Sequence, residues 1–148
     1  MPCGERYAWH FDMLHDAARL RAFAEAFERL PPVARAVDLG CGSGVLGLLL
    51  LRRFPELQLV AFEEDPRLAT AARRNGALNG LQERLEVKAM RSTSCEELPR
   101  ASLVVAEARK GVGIASFEGN FSLKSWFLNS FSTVLRGFVM ILDFRKAV

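Results

Sequence analysis

Between Ala36 and Gly47 the chain reads Ala-Val-Asp-Leu-Gly-Cys-Gly-Ser-Gly-Val-Leu-Gly, and this stretch has the clearest capacity for chemistry. Glycines at 40, 42 and 44 let the backbone take positive φ and let a ligand come within contact distance of it. Asp38 is an acid where a buried strand would carry valine or isoleucine. Two ligand patterns overlap here. Gly42-x-Gly44-x-x-Gly47 fits the dinucleotide fingerprint, in which a helix N-terminus receives a pyrophosphate. Asp38-x-Gly40-x-Gly42-x-Gly44 fits the acidic glycine loop of S-adenosyl-L-methionine (SAM) binders. Charge separates the two: SAM carries a sulfonium and an ammonium and no phosphate, so a carboxylate beside the loop attracts it and would repel a pyrophosphate. Asp38 therefore favours SAM. For the glycines alone, a tight strand-to-helix turn with no ligand is the plainer alternative.

A second acid, Glu63, follows the glycines by about twenty residues, where an acid at the end of the next strand accepts hydrogen bonds from ribose hydroxyls. The competing role, an acid at a helix N-terminus beside Pro66, suits Glu64 and Asp65 better. His10 and His15 stand five apart, off a common helix face, and make a poor metal pair. No metal site is expected. Cysteines at 3, 41 and 95 form no C-x-x-C and leave one unpaired in any disulfide scheme, which fits a reducing compartment.

These residues need a frame. From Tyr7 to Leu30 apolar residues recur at helical spacing, predicting one helix, or two with a break near Asp16 to Leu20; Pro31-Pro32 ends the pattern. A strand over 35–39, the glycine turn and a helix from about Gly44 to Phe54 come next. Leu57 to Phe62 reads as a second buried strand and Pro66 to Leu78 as a helix with Asn79-Gly80 at its C-terminus. Leu85 to Met90 and Ser102 to Ala106 are the third and fourth strands, separated by a polar stretch with at most a short helical turn. Beyond Glu107, Phe121 to Arg136 reads as an amphipathic helix and Phe138 to Phe144 as a fifth strand. The alternation predicts an α/β fold, a Rossmann-like doubly wound parallel sheet of about five strands with an N-terminal helical segment, and a ligand at the carboxyl ends of the strands. The 148 residues suit a single domain: N-terminal helices over 1–32, a nucleotide-binding core over 33–107 and a divergent tail over 108–148.

Half the residues are hydrophobic and a quarter charged, as in a soluble globular protein. The net charge of +3 with scattered Lys and Arg gives weak grounds for nucleic acid as a partner. The longest apolar runs, Val45 to Leu51 and Phe138 to Leu142, fall far short of the roughly 18 residues of a membrane span, so no membrane partner is expected. The N-terminus shows no apolar signal region, which points to cytoplasm or nucleus.

The run His10-x-x-Met13-Leu14-x-Asp16-x-x-Arg19, then Val37 to Gly44, Glu63, Asn79-Gly80-Leu81, Arg91-Ser92-Thr93 and Val104-Val105-Ala106-Glu107, resembles the protein arginine N-methyltransferases in order and spacing. It is most similar to the branch that carries two methyltransferase modules in tandem, over about residues 7 to 108. By that resemblance Arg19 pairs with the SAM carboxylate through its guanidinium fork, and Met13 packs beside the donor methyl. Asp38, Gly40, Gly42 and Gly44 hold the methionine moiety, Glu63 the ribose, and Ser92 and Thr93 the adenine.

The resemblance implies methyl transfer from SAM to an arginine guanidinium nitrogen, with a protein as the substrate. A guanidinium is cationic and a poor nucleophile, so two carboxylates must orient it and localise electron density on the attacking nitrogen. In the family these acids stand nine residues apart around a hairpin loop. Glu107 matches the first; Ser116 stands at the second position, and the nearest acid, Glu118, comes two residues late. Arg109 and Lys110 add positive charge just where a cationic substrate would dock. The family's threonine-histidine-tryptophan motif, its β-barrel and its dimerisation arm have no counterpart before Val148. The expectation is a donor-binding domain whose acceptor side is altered or missing and which lacks the family's means of dimerising; whether it is active alone stays open. Two alternatives stay open. One is methylation of a small molecule; nucleobase amines fit poorly, because the fourth strand ends Val-Val-Ala-Glu-Ala and not in an Asp/Asn-Pro-Pro-aromatic run. The other is a non-catalytic module that binds SAM or a partner subunit.

Overall fold

The computed structural model describes residues 7–96, 99–108 and 138–143. Helix α1 spans Ala8–His15 and α2 spans Ala17–Glu28. The break falls on Asp16, whose carboxylate accepts the Arg19 backbone N–H at 2.9 Å and so caps α2 while ending α1. Strand β1 (Arg35–Leu39) leads through the glycine turn into α3 (Val45–Arg53). Strand β2 (Gln58–Phe62), helix α4 (Pro66–Leu78) and strand β3 (Leu85–Lys88) follow, then β4 (Leu103–Ala108) and β5 (Phe138–Asp143). Pro66 occupies the first turn of α4, where its missing N–H costs nothing, and Gly80, at φ 68°, turns the chain away at the other end.

The sheet order is β3-β2-β1-β4-β5. The first four strands are parallel, as the alternation of elements predicts. The fifth is not: β5 is present but runs antiparallel to β4, with Ala108 opposite Phe138 and Leu103 opposite Asp143. An apolar run such as Phe138 to Leu142 pairs equally well in either direction, and strand periodicity carries no sign of direction. In consequence Ala108 and Phe138 lie at the same edge of the sheet, the edge where β1 ends. The expected helix over 121–136 and the acid Glu118 lie outside the described residues.

One face of the sheet carries three helices. Phe23 and Phe27 of α2 share a core cluster with Leu46, Leu50 and Leu51 of α3 and with Ala36, Leu59, Leu103 and Val105 of the strands. On the β2–β3 side Ala69 and Ala72 of α4 pack with Ala61 and Val87. Small residues set the spacing: a Cβ at Gly47 would lie 2.6 Å from Leu59 Cδ2, and one at Gly76 would lie 2.8 Å from Leu85 Cδ2. Val37 and Phe62, on the opposite face, are each 1% exposed, while Val60, Val104 and Ala106 on that face are half-buried. Each fully buried leucine contributes about 1.5–3 kcal/mol relative to an exposed one, and Leu50, Leu51, Leu57, Leu59 and Leu103 together fix α3 against β1 and β2. No described helix is long and apolar enough to cross a membrane.

The carboxyl end of α3 is closed from a distance. Arg84 donates from Nη2 to the Leu51 carbonyl at 3.0 Å and from Nη1 to the Phe54 carbonyl at 3.0 Å and the Leu57 carbonyl at 3.4 Å. Replacing it by alanine removes the side-chain donor from all three carbonyls, of which Phe54 keeps the Leu57 N–H at 3.1 Å, and urea unfolding should show a loss of about 2–3 kcal/mol. Arg84→Lys should recover only part of it, because a single ammonium does not reproduce the planar fork.

Candidate functional site

At the end of β1 the backbone makes three left-handed steps in five residues: Gly40 at φ 75°, Gly42 at 57° and Gly44 at 88°. The Gly40 and Cys41 N–H groups both donate to the Phe62 carbonyl at 2.9 Å, carrying the β1–β2 ladder past the strands. Gly44 N–H donates to the Cys41 carbonyl at 2.9 Å and Gly44 then caps α3, whose first internal bond runs from Leu48 N–H to the Gly44 carbonyl. The three glycines face different surroundings. A Cβ at Gly40 would meet nothing within 4 Å, one at Gly42 would strike the His10 ring at 2.8 Å, and one at Gly44 would press on Ala72 of α4 at 3.2 Å.

Both acids singled out in the sequence border this turn. Asp38 is 2% exposed, in register with Ala61 on one side and Val105 on the other. Its Oδ2 lies 3.4 Å from the position a Gly47 Cβ would take, so that glycine makes room for the acid as well as for Leu59. Glu63, 8% exposed, accepts the Gly42 N–H at 2.8 Å and the Asp65 N–H at 2.9 Å, one on each carboxylate oxygen. A carboxylate has about four acceptor sites, so each oxygen can still take a second donor. Cys41 sits between the two acids: burial, with the negative charge of Asp38 and then Glu63, pushes its thiol far up and keeps it protonated.

The N-terminal helices roof the turn. His10 of α1 is 4% exposed and lies against Gly42. Arg19 of α2 is 5% exposed, with its guanidinium carbon 5.1 Å from the centroid of the Phe23 ring one helical turn on and Nη1 3.5 Å from the Met13 carbonyl. Met13 is half-buried beside it. Tyr7 donates to Asp65 Oδ2 at 2.7 Å, fastening the start of α1 to the residue whose Oδ1 caps α4. Of the two acids suited to that capping role Asp65 takes it, and Glu64 pairs with Arg91 across the turn after β3. These side chains line an open cavity of about 440 Å³ bounded by Tyr7, Glu64, Asp65, Pro66, Arg67 and Arg91. Ser92, half-buried, and Thr93, exposed, form a single 3-10 turn directly after Arg91, and neither lines this cavity.

Glu107 enters through backbone register. Leu39 is opposite Phe62 in β2 and Ala106 in β4, so Gly40, Glu63 and Glu107 each stand one residue beyond the same row. The structure thus brings the glycines, Asp38 and Glu63 into one site, sets Arg19 beside Met13 in the N-terminal helices whose His10 lies against Gly42, and aligns the Glu107 backbone with Gly40 and Glu63. The contacts of His10, Tyr7 and Asn75 were missed in the sequence. For Asn75, whose amide reaches the Ser43 carbonyl at 3.0 Å, the available signal was a poor helix former inside an alanine-rich helix.

An open parallel sheet with an acid-bearing glycine turn after its first strand and a buried acid after its second defines a class I SAM-dependent methyltransferase fold. The chain belongs to the methyltransferase small domain family, whose model matches residues 16–106, and S-adenosyl-L-methionine is the cofactor that this membership implies. The residues present fit that group, with open space over Gly40 and buried carboxylates where a cationic nucleoside needs them. The chain is 32% identical over 113 residues to the ribosomal protein L11 methyltransferase of Xylella fastidiosa (strain 9a5c), covering 72% of this chain and 37% of that protein. It is 43% identical over 51 residues to the ribosomal RNA small subunit methyltransferase C of Stutzerimonas stutzeri (strain A1501), covering 34% of this chain and 15% of that one. It therefore spans 15–37% of the length of these two curated relatives. Among solved structures, the Trypanosoma brucei PRMT1 enzyme-prozyme heterotetrameric complex with AdoHcy superposes on 70% of this chain and 33% of that chain, with a TM-score of 0.62 and 19% identity. PRMT6-SAH superposes on 57% of this chain and 25% of that one, at 0.52 and 23%. At these identities the likeness to arginine methyltransferases is one of fold.

Two measurements probe the roof. The hydrogen bond to Asp65, then burial, raises the Tyr7 phenol above its ordinary value near 10, and the same bond, then the Arg67 backbone N–H, lowers the Asp65 carboxyl. With the sign worked through, the contact is intact at neutral pH, is lost in acid only as pH falls through the lowered carboxyl value, and is lost in base as pH passes the raised phenol value. Tyr7 is the single tyrosine, so absorbance at 295 nm should show one transition displaced above 10, and Asp65→Asn should return it toward 10. Separately, Gly42→Ala should weaken binding of S-adenosylhomocysteine about tenfold or more in a calorimetric titration, through left-handed strain and the clash with His10. Adding His10→Ala should restore only the part due to the clash.

Proposed function

We propose that this domain binds SAM at the glycine turn and presents its methyl to an arginine guanidinium of a protein substrate. The observation that supports the reading best is the joint placement of Asp38 and Glu63 at the three-glycine turn, against which His10 of α1 packs, with Arg19 buried in the adjoining α2. In this reading Asp38 and the glycines hold the methionine end, Arg19 its carboxylate, Met13 the donor side, Glu63 the ribose, and Ser92 and Thr93 the adenine. SAM supplies an electrophilic methyl on a sulfonium. The protein's part is to exclude water and to aim the acceptor nitrogen, with Glu107 at the edge of the site as a carboxylate that grips the guanidinium. The two-helix segment broken at Asp16, with Arg19 and Met13 in it, is the local support for an arginine acceptor, together with the fold shared with arginine methyltransferases.

A second reading follows from sequence similarity over 72% of the chain: the acceptor is a ribosomal protein, as the name of the Xylella fastidiosa relative says of that protein. Both readings put a protein substrate at the mouth of the site.

Radiolabelled SAM supplied with arginine-rich peptides, with ribosomal proteins or with ribosomal RNA separates the acceptors. We expect label in arginine peptides, and a loss of about 100-fold or more for Glu107→Gln with S-adenosylhomocysteine affinity unchanged. Label confined to ribosomal protein would select the second reading, and no label anywhere beside normal cofactor binding would leave a binding module. No detectable heat from the unmodified chain at millimolar S-adenosylhomocysteine would end all three.

A further inference from the structure

We propose that Asn75 is a positioning residue for the cofactor turn, acting through the Ser43–Gly44 peptide; this rests on the reading of that turn as the SAM site. Asn75 lies in α4, 32 positions from Ser43, and its Nδ2 donates to the Ser43 carbonyl at 3.0 Å. The other end of the same peptide unit is also tied, because Gly44 N–H donates to the Cys41 carbonyl at 2.9 Å. Both ties matter at this position. Gly44 sits at φ 88°, and a glycine passes between left- and right-handed backbone at little steric cost, so an untied peptide here can rotate. Its orientation decides how the chain enters α3 and which way the first N–H groups of that helix face.

Helix α4 supports the turn at two points three residues apart on one face: Ala72 meets the surface of Gly44, and Asn75 holds the carbonyl before it. Gly76, beside Asn75, lets the helix lie close on Leu85. Asparagine is disfavoured in a helix interior relative to the alanines at 69, 71, 72 and 77, so α4 carries it against propensity where the turn needs a donor. Ser43 is 6% exposed, and without Asn75 its carbonyl has little access to water as a substitute.

The test compares the full chain with Asn75→Asp and Asn75→Leu, both close in size to the native residue. S-adenosylhomocysteine is titrated calorimetrically, and amide hydrogen exchange at Gly44 is read against Leu59. The variants should raise Kd about tenfold or more and speed Gly44 exchange by a similar factor, with Tm within a few degrees of the parent. A protonated carboxyl donates again, so the Kd of Asn75→Asp relative to the parent at the same pH should narrow as pH is lowered from about 7.5 to about 5. A side chain that only stabilised α4 would lower Tm and leave the Kd of the folded fraction and the Gly44 exchange ratio at parental values; that result overturns the proposal. Absence of binding by the parent chain overturns the cofactor reading instead, and Gly44 exchange then still decides whether Asn75 holds the turn.

Discussion

The passage from β1 into α3 must take three left-handed residues within five positions, and the rest of the structure is arranged around holding that passage still. Such a turn has few bonds of its own, since the residues that make it possible have no side chains. Its order is supplied from outside: the Phe62 carbonyl takes two of its N–H groups, Glu63 takes a third, Asn75 donates to one of its carbonyls, and His10 and Ala72 fill the surfaces that Cβ atoms would occupy. These contacts come from β2, the turn after it, α4 and α1. Misplacing any of these elements releases part of the site, so fold stability and ligand competence are coupled here more tightly than in a site built on one helix.

Glu63 shows how one residue serves both. Its carboxylate ties the glycine turn to the start of α4 with two backbone N–H donors and keeps acceptor capacity on each oxygen. A sugar hydroxyl arriving there would meet an acceptor already oriented by the fold, with little side-chain entropy left to lose. The Tyr7–Asp65 and Arg91–Glu64 contacts close the same rim from the helical roof and from the turn after β3. An exposed ion pair such as Arg91–Glu64 contributes little to stability, roughly 0–1 kcal/mol.

Much of this was legible in the sequence because local chemistry speaks for itself: glycines at alternate positions, an acid inside an apolar strand, a proline opening a helix. The strands and helices from Arg35 to Ala106 fall within a residue or two of where pattern puts them, and Asp16 breaks the N-terminal helix at the first position of the interval expected for it. The antiparallel sense of β5 was not legible, because an apolar five-residue run is the same pattern in both directions. The contacts of His10 with Gly42 and of Asn75 with Ser43 each span 32 positions and exist only once the sheet has formed. The resemblance to arginine methyltransferases carried the donor side of the site, while the relatives found by sequence are ribosomal methyltransferases, so the two lines of similarity meet on the SAM fold and part at the acceptor.

The central claim is that the ligand surface of this domain is the glycine turn between Asp38 and Glu63. Amide chemical-shift mapping by NMR with S-adenosylhomocysteine tests it most directly. Saturable shifts concentrated at 38–45, at 63–65 and at 91–93, with smaller ones around Met13 and Arg19, are the predicted result. Binding whose shifts gather elsewhere on the sheet, or no shifts at saturating ligand, would contradict it.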